Sequence, residues 1–163
     1  MPDPTRPVAG APIDTDWGQQ VHDNVFSPKG ARVAGGASTA VGTTLEQLQL
    51  NTLVDDPGGW LASDSLTVPV AGDGLYYYAI VVRTDNGSVG ERTKVHLRVN
   101  GAAVVGWFID NNGTTAEEDG RSGLLALSAG DVINVYAAKT GGLDPDVLVI
   151  SLALIRMASE IGA

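Results

Sequence analysis

The chain has 163 residues, 44% of them hydrophobic and 18% charged, with 21 glycines, eight prolines, no cysteine and a formal net charge of -9. One domain of the common ~100–200 residue size plus a tail fits that length, and glycine at about twice its usual ~7% without a three-residue repeat excludes collagen and favours a turn-rich β fold. The missing cysteines exclude disulfides, thiolate metal sites and cysteine nucleophiles, and the acidic balance argues against wrapping nucleic acid, which is driven by Lys and Arg neutralising phosphates.

Five of the eight prolines fall within the first 28 residues (Pro2, Pro4, Pro7, Pro12 and Pro28). Proline locks φ and carries no amide donor, so residues 1–30 are expected to form an extended arm outside any sheet interior. Within it, Asp14 or Thr15 is placed to cap a turn or two of helix presenting Trp17, Val21, Val25 and Phe26. So short a segment has too little core to fold alone. It either packs on its own body or docks on a neighbouring subunit or larger assembly, through Pro12, Ile13, Trp17, Val21, Val25 and Phe26.

Residues 31–163 form the expected body. Residues 31–42 are small and glycine-rich, and LEQLQL at 45–50 suits strand or helix. Clearer strands follow at 66–70 (LTVPV), 75–83 (LYYYAIVVR), 93–99 (TKVHLRV), 102–109 (AAVVGWFI), 124–127 (LLAL), 132–138 (VINVYAA) and 147–155 (VLVISLALI). TKVHLRV alternates, with Val95, Leu97 and Val99 inward and Lys94, His96 and Arg98 outward. Asn100-Gly101 then supplies the positive φ that a two-residue hairpin requires. Asn86-Gly87, Asn112-Gly113 and Ala129-Gly130-Asp131 mark further turns. No long amphipathic helix interrupts the series, so the fold class is all-β, an antiparallel sandwich or barrel.

Two strands carry more apolar residues than one core can use. VLVISLALI is apolar at nearly every position, and LYYYAIVV places three tyrosines before a run of aliphatics, where a strand with one wet face should alternate. Burial against like chains is expected over simple core for at least one of these strands, with Tyr76, Tyr78, Val149, Leu152 and Leu154 as the contact residues.

The order SDSLTVPVAGDGLYYYAIVV, an Asn-Gly hairpin, SGLLALSAGDVINVYAA and a closing ISLALIRM resembles the jelly-roll domains of complement-type globular heads and the tumour-necrosis-factor superfamily. Thr67, Pro69, Gly74 and Tyr76 fall on that family's Thr-x-Pro and Gly-x-Tyr positions, and Ser122, Leu125, Leu127, Gly130 and Asp131 on its Ser-x-x-Leu-x-Leu-x-x-Gly-Asp segment. Tyr78 replaces the usual Phe, the turn before Gly74 is two residues longer, and Ala153 and Leu154 stand where an aromatic is usual. The resemblance spans roughly residues 40–157 and implies a jelly-roll homotrimer whose inner faces meet about a threefold axis. A proline-rich arm before a jelly roll is also similar to bacteriophage head-decoration, head-fibre and tail-fibre proteins. That similarity implies a virion protein whose arm docks on a capsid or tail platform and whose trimer projects. Animal relatives usually carry signal peptides, collagen stalks or cysteines; this chain has no basic-then-apolar start, nor the ~18-residue apolar run of a membrane helix, which points to a phage or bacterial origin with no membrane partner.

Chemistry is sparse. His22 and His96 are the two histidines, and neither sits in a motif that supplies an acid/base partner. No nucleophile elbow, zinc helix, phosphate loop or dinucleotide turn occurs, so neither an enzyme nor a cofactor is expected. The acidic stretch 110–120 gathers oxygen donors including Asp110 and Asp119, but not at the alternating spacing of a calcium loop, so a solvated loop is the expectation over a metal site. Asn86-Gly87-Ser88 and Asn112-Gly113-Thr114 match the glycosylation pattern and read as turns. The alternative to the virion role is a knob gripping a host receptor or glycan through loops 110–120 and 139–146.

Overall fold

The computed structural model describes residues 30–35, 39–55, 58–70, 72–85, 90–110, 116–141 and 146–158. Residues 1–29 of the expected 1–30 arm, with the short helix, lie outside the described residues, as do the Asn86-Gly87 and Asn112-Gly113 turns, while Gly30 opens the first strand. The described residues form twelve strands: β1 (Gly30–Gly35), β2 (Thr39–Ala40), β3 (Glu46–Gln47), β4 (Thr52–Asp55), β5 (Leu61–Ala62), β6 (Ser65–Thr67), β7 (Gly74–Thr84), β8 (Arg92–Val99), β9 (Ala102–Asp110), β10 (Glu117–Leu127), β11 (Val132–Thr140) and β12 (Asp146–Ala158).

They form two six-stranded sheets, and every pairing is antiparallel. The first runs β10-β7-β12-β1-β4 with β2 added beside β12, and the second β5-β6-β11-β8-β9 with β3 beside β11. From β7 onward the chain crosses to the second sheet for β8 and β9, back for β10, over for β11 and back for β12. The last strand thereby pairs with the first, Val33 opposite Leu152, so the structure can close only when the two ends of the domain meet. The all-β antiparallel class stands.

Between the sheets lies one apolar core, which includes the fully buried Val33, Leu48, Leu50, Trp60, Leu66, Tyr76, Ile80, Leu97, Leu127, Ile133, Leu152 and Leu154. Side chains alternate across a strand, so the even-numbered residues of β7 from Tyr76 to Val82 point into this layer and the odd ones away. LEQLQL is mostly loop with a two-residue strand, and it buries Leu48 and Leu50. The strand expected at 66–70 ends at Thr67, because Pro69 offers no amide to a ladder; Val70 is left 94% exposed. The loop expected over 110–120 is strand from Glu117 on, since β10 pairs with β7 along its whole length, from Glu117 opposite Thr84 to Leu127 opposite Gly74.

Asn100 (φ 51°) and Gly101 (φ 80°) make the hairpin between β8 and β9 that their sequence requires. The Asn100 amide N–H donates to the Val132 carbonyl at 2.8 Å, and its side chain donates to Asp131 Oδ1 at 2.7 Å. Asp131 Oδ2 accepts the Ser128 N–H at 2.8 Å, so the Gly130-Asp131 pair clasps two turns at one end of the sandwich. A Cβ on Gly101 would meet no atom within 4 Å, so the cost of Gly101→Val is conformational alone. About 1–2 kcal/mol of stability should be lost, measured as a lower urea midpoint with an unchanged molecular mass.

Candidate functional site

Four of the five residues expected at a subunit contact are spent inside one chain. Tyr76, Tyr78, Leu152 and Leu154 all lie in the core between the two sheets. The Tyr76 hydroxyl donates to the Gly72 carbonyl at 2.6 Å, and its ring meets Trp60 edge-on at 5.3 Å between centroids. Burial raises the Tyr76 pKa above its ordinary value. The Tyr78 ring lies over Gly123, where a Cβ would come within 2.9 Å of it. Leu152 stands between Ile80 and Val33 in neighbouring strands, and all three face inward. Those four residues are therefore corrected from interface to core, because their parity turns them toward the opposite sheet. Val149 is registered opposite Arg83 beside an irregularity in β12, and its side chain lies outside the described set.

The surplus apolar surface exists on the other parity. Across the first sheet, Leu124, Tyr77 and Ile155 stand side by side on β10, β7 and β12, 59%, 37% and 42% exposed. The next row toward the β7 C-terminus is Ser122, Ala79 and Ala153, and the one after it Gly120, Val81 and Ser151. Met157 is exposed near the β12 end. A solvated sheet face would carry polar residues at these positions; here the centre is aromatic, aliphatic and small. Contiguous exposed apolar surface of this kind marks an interaction site more often than isolated residues do. Tyr77 and Ile155 sit one residue from positions named on sequence grounds, and no signal within an unbroken apolar run distinguishes the two sets.

The outer face of the second sheet has the opposite character. Lys94, His96 and Arg98 project from β8 as their alternation requires, with Phe108 and Gly106 on β9 and Asn134 and Tyr136 on β11 as neighbours. His96 is half-buried rather than fully solvated, because its ring packs on Gly106, where a Cβ would come within 2.9 Å.

Both carboxylates weighed as cation ligands are engaged by arginines. Asp110 pairs with Arg92 at 2.6 Å, and Asp119 with Arg121 at 2.7 Å while also accepting the Gly120 N–H at 2.7 Å. Among the described residues no group of three His, Asp or Glu side chains is placed to hold a metal ion. The arm residues Pro12, Ile13, Trp17, Val21, Val25 and Phe26 lie outside the described residues.

No protein-family model matches the chain, and no curated protein matches it in sequence. Its fold, however, is similar to a solved structure, the globular domain of zebrafish complement 1qA protein. That match has a TM-score of 0.58 at 12% identity and covers 77% of this chain and 94% of that one. At such identity the likeness establishes the fold, a complement-type jelly roll.

Proposed function

We propose that this chain is a structural knob that assembles as a homotrimer through the outer face of its first sheet and is held on a bacteriophage particle by its N-terminal arm. One observation carries the trimer: the exposed row of Leu124, Tyr77 and Ile155, flanked by Val81 and Met157, on a face where a solitary domain would be polar. Covering it removes apolar area from water at ~25 cal/mol per Å². The jelly-roll likeness supports self-association through a sheet face, as the sequence resemblance implies. The proline-rich start, with Trp17 and Phe26 on a segment too short to form a core, supports a docking arm. Three arms on one rigid trimer multiply weak contacts with the platform by avidity.

The test is light scattering on the full chain followed by particle binding. The expected mass is three times 16.8 kDa, and removal of residues 1–29 should abolish attachment to the particle while the shortened chain still scatters as three subunits. Trp17→Ala with Phe26→Ala should weaken attachment at least tenfold without moving the melting temperature. A melting temperature that falls together with binding would show that the arm packs on its own body.

A further inference from the structure

The outer face of the second sheet concentrates positive charge in a chain whose net charge is -9. Arg92, Lys94, His96 and Arg98 follow one another on the same side of β8, at steps of about 7 Å. Arg92 is neutralised by Asp110. Lys94 and Arg98 have no carboxylate partner among the described residues. Lys94 sits between Phe108 and Ala138, His96 between Gly106 and Tyr136, and Arg98 between Ala103 and Asn134. The Arg98 guanidinium carbon lies over the Tyr136 ring, 4.6 Å from its centroid. Its Nε and the His96 Nδ1 are buried without a hydrogen-bond partner. Steps of about 7 Å lie within the ~8 Å Debye length of physiological salt, so these charges repel one another until something anionic spans them.

We infer that this face binds an acidic polysaccharide, with carboxylate or sulfate groups running along Lys94, His96 and Arg98. Three features select that partner. β8 is paired on both sides, so an acidic peptide cannot add to it as a strand. Single-stranded nucleic acid needs successive bare rings for its bases, whereas both rings of this face already carry an arginine, Arg98 at 4.6 Å over Tyr136 and Arg92 at 5.8 Å over Phe108. Duplex nucleic acid needs phosphate neutralisation over a wider basic surface than one strand. A stiff sugar chain with an anionic group every ring or two matches a narrow, single-file row of cations. This face is opposite the proposed trimer surface, so the inference stands independently of that assembly.

His96 gives an internal reporter. Its pKa is lowered from the ordinary 6.5, first by burial and then by Lys94 and Arg98. The groups facing it are those two cations on its own strand, the Tyr136 phenol on β11 and the bare Gly106 on β9; Asp110, two pairs further along β9, is held by Arg92. Below its folded pKa the ring becomes a third cation, so affinity should rise as pH falls through that value, and a bound anion should raise the pKa in return.

The experiment is calorimetric titration of the full chain with a polygalacturonate oligomer, a heparin oligosaccharide, a neutral cello-oligosaccharide and an oligothymidylate of matching length. The His96 ring protons are followed by NMR in parallel. Binding is expected with both acidic sugars, falling with salt, and none with the neutral one; a preference between the two separates carboxylate from sulfate recognition. Lys94→Ala and Arg98→Gln should each reduce affinity about tenfold, Arg121→Ala on the other sheet should not, and the His96 pKa should rise on saturation. Equal affinity in Lys94→Ala, a His96 pKa that ignores the sugar, binding of the neutral oligomer alike, or tighter binding of oligothymidylate would each overturn the assignment.

Discussion

A chain carrying Tyr77→Asp is expected to scatter light as a single 16.8 kDa subunit, where the unaltered chain scatters as three. Tyr77 projects from the middle of the first sheet between Leu124 and Ile155, away from the core, so the substitution leaves the sandwich packing untouched. In an assembly it removes an aromatic side chain whose burial is worth roughly 1.5–3 kcal/mol. It also places a carboxylate in apolar surroundings at a further cost of several kcal/mol per unpaired charge. Repeated in each subunit, that loss exceeds what a standard interface has to spare. Ile155→Asp should act in the same way, and Val104→Asp, on the opposite sheet, should leave the mass at three subunits. A Tyr77→Asp chain that still weighs three times 16.8 kDa would remove the first sheet's outer face from the proposal.

Leu152→Asp, three residues from Ile155 in the same strand, should behave quite differently, giving an unfolded chain at room temperature. Its side chain is fully buried between Ile80 and Val33. Truncation to Ala alone should cost about 2–5 kcal/mol, or on the order of 10 °C in Tm. Adding an unpaired buried carboxylate brings the total near the 5–15 kcal/mol that holds a domain of this kind together. Circular dichroism and urea melts distinguish the two substitutions: strand signal retained with mass lost for Tyr77→Asp, strand signal itself lost for Leu152→Asp. A folded, monomeric Leu152→Asp would show that β12 turns its even-numbered residues toward a neighbour after all.

The contrast between those two positions explains how far the sequence could be read. Strand identity was legible because β-branched and aromatic runs are bounded by turn residues, and the β8-β9 hairpin because Asn100 and Gly101 both tolerate positive φ. TKVHLRV also declared its inner face, since polar and apolar residues alternate there. The short strands β2 to β5 were not legible, because two to four residues carry no measurable period. Nor was the strand start at Glu117, where EEDG has no strand preference and is held by pairing to β7.

Chain chemistry alone therefore settles that this is a turn-rich, antiparallel, all-β molecule with an excess of apolar strand surface. Which side of β7 and β12 is the excess depended on long-range packing. In Tyr76-Tyr77-Tyr78 and Ile150-Ser151-Leu152-Ala153-Leu154-Ile155 both parities can enter a core, so a period of two carries no sign. The sign comes from residues distant in the chain: Trp60 against Tyr76, Val33 beside Leu152, and the second sheet closing over the even-numbered side chains. A strand apolar on both faces has no local energetic reason to prefer one, and the choice is made when the opposing layer docks.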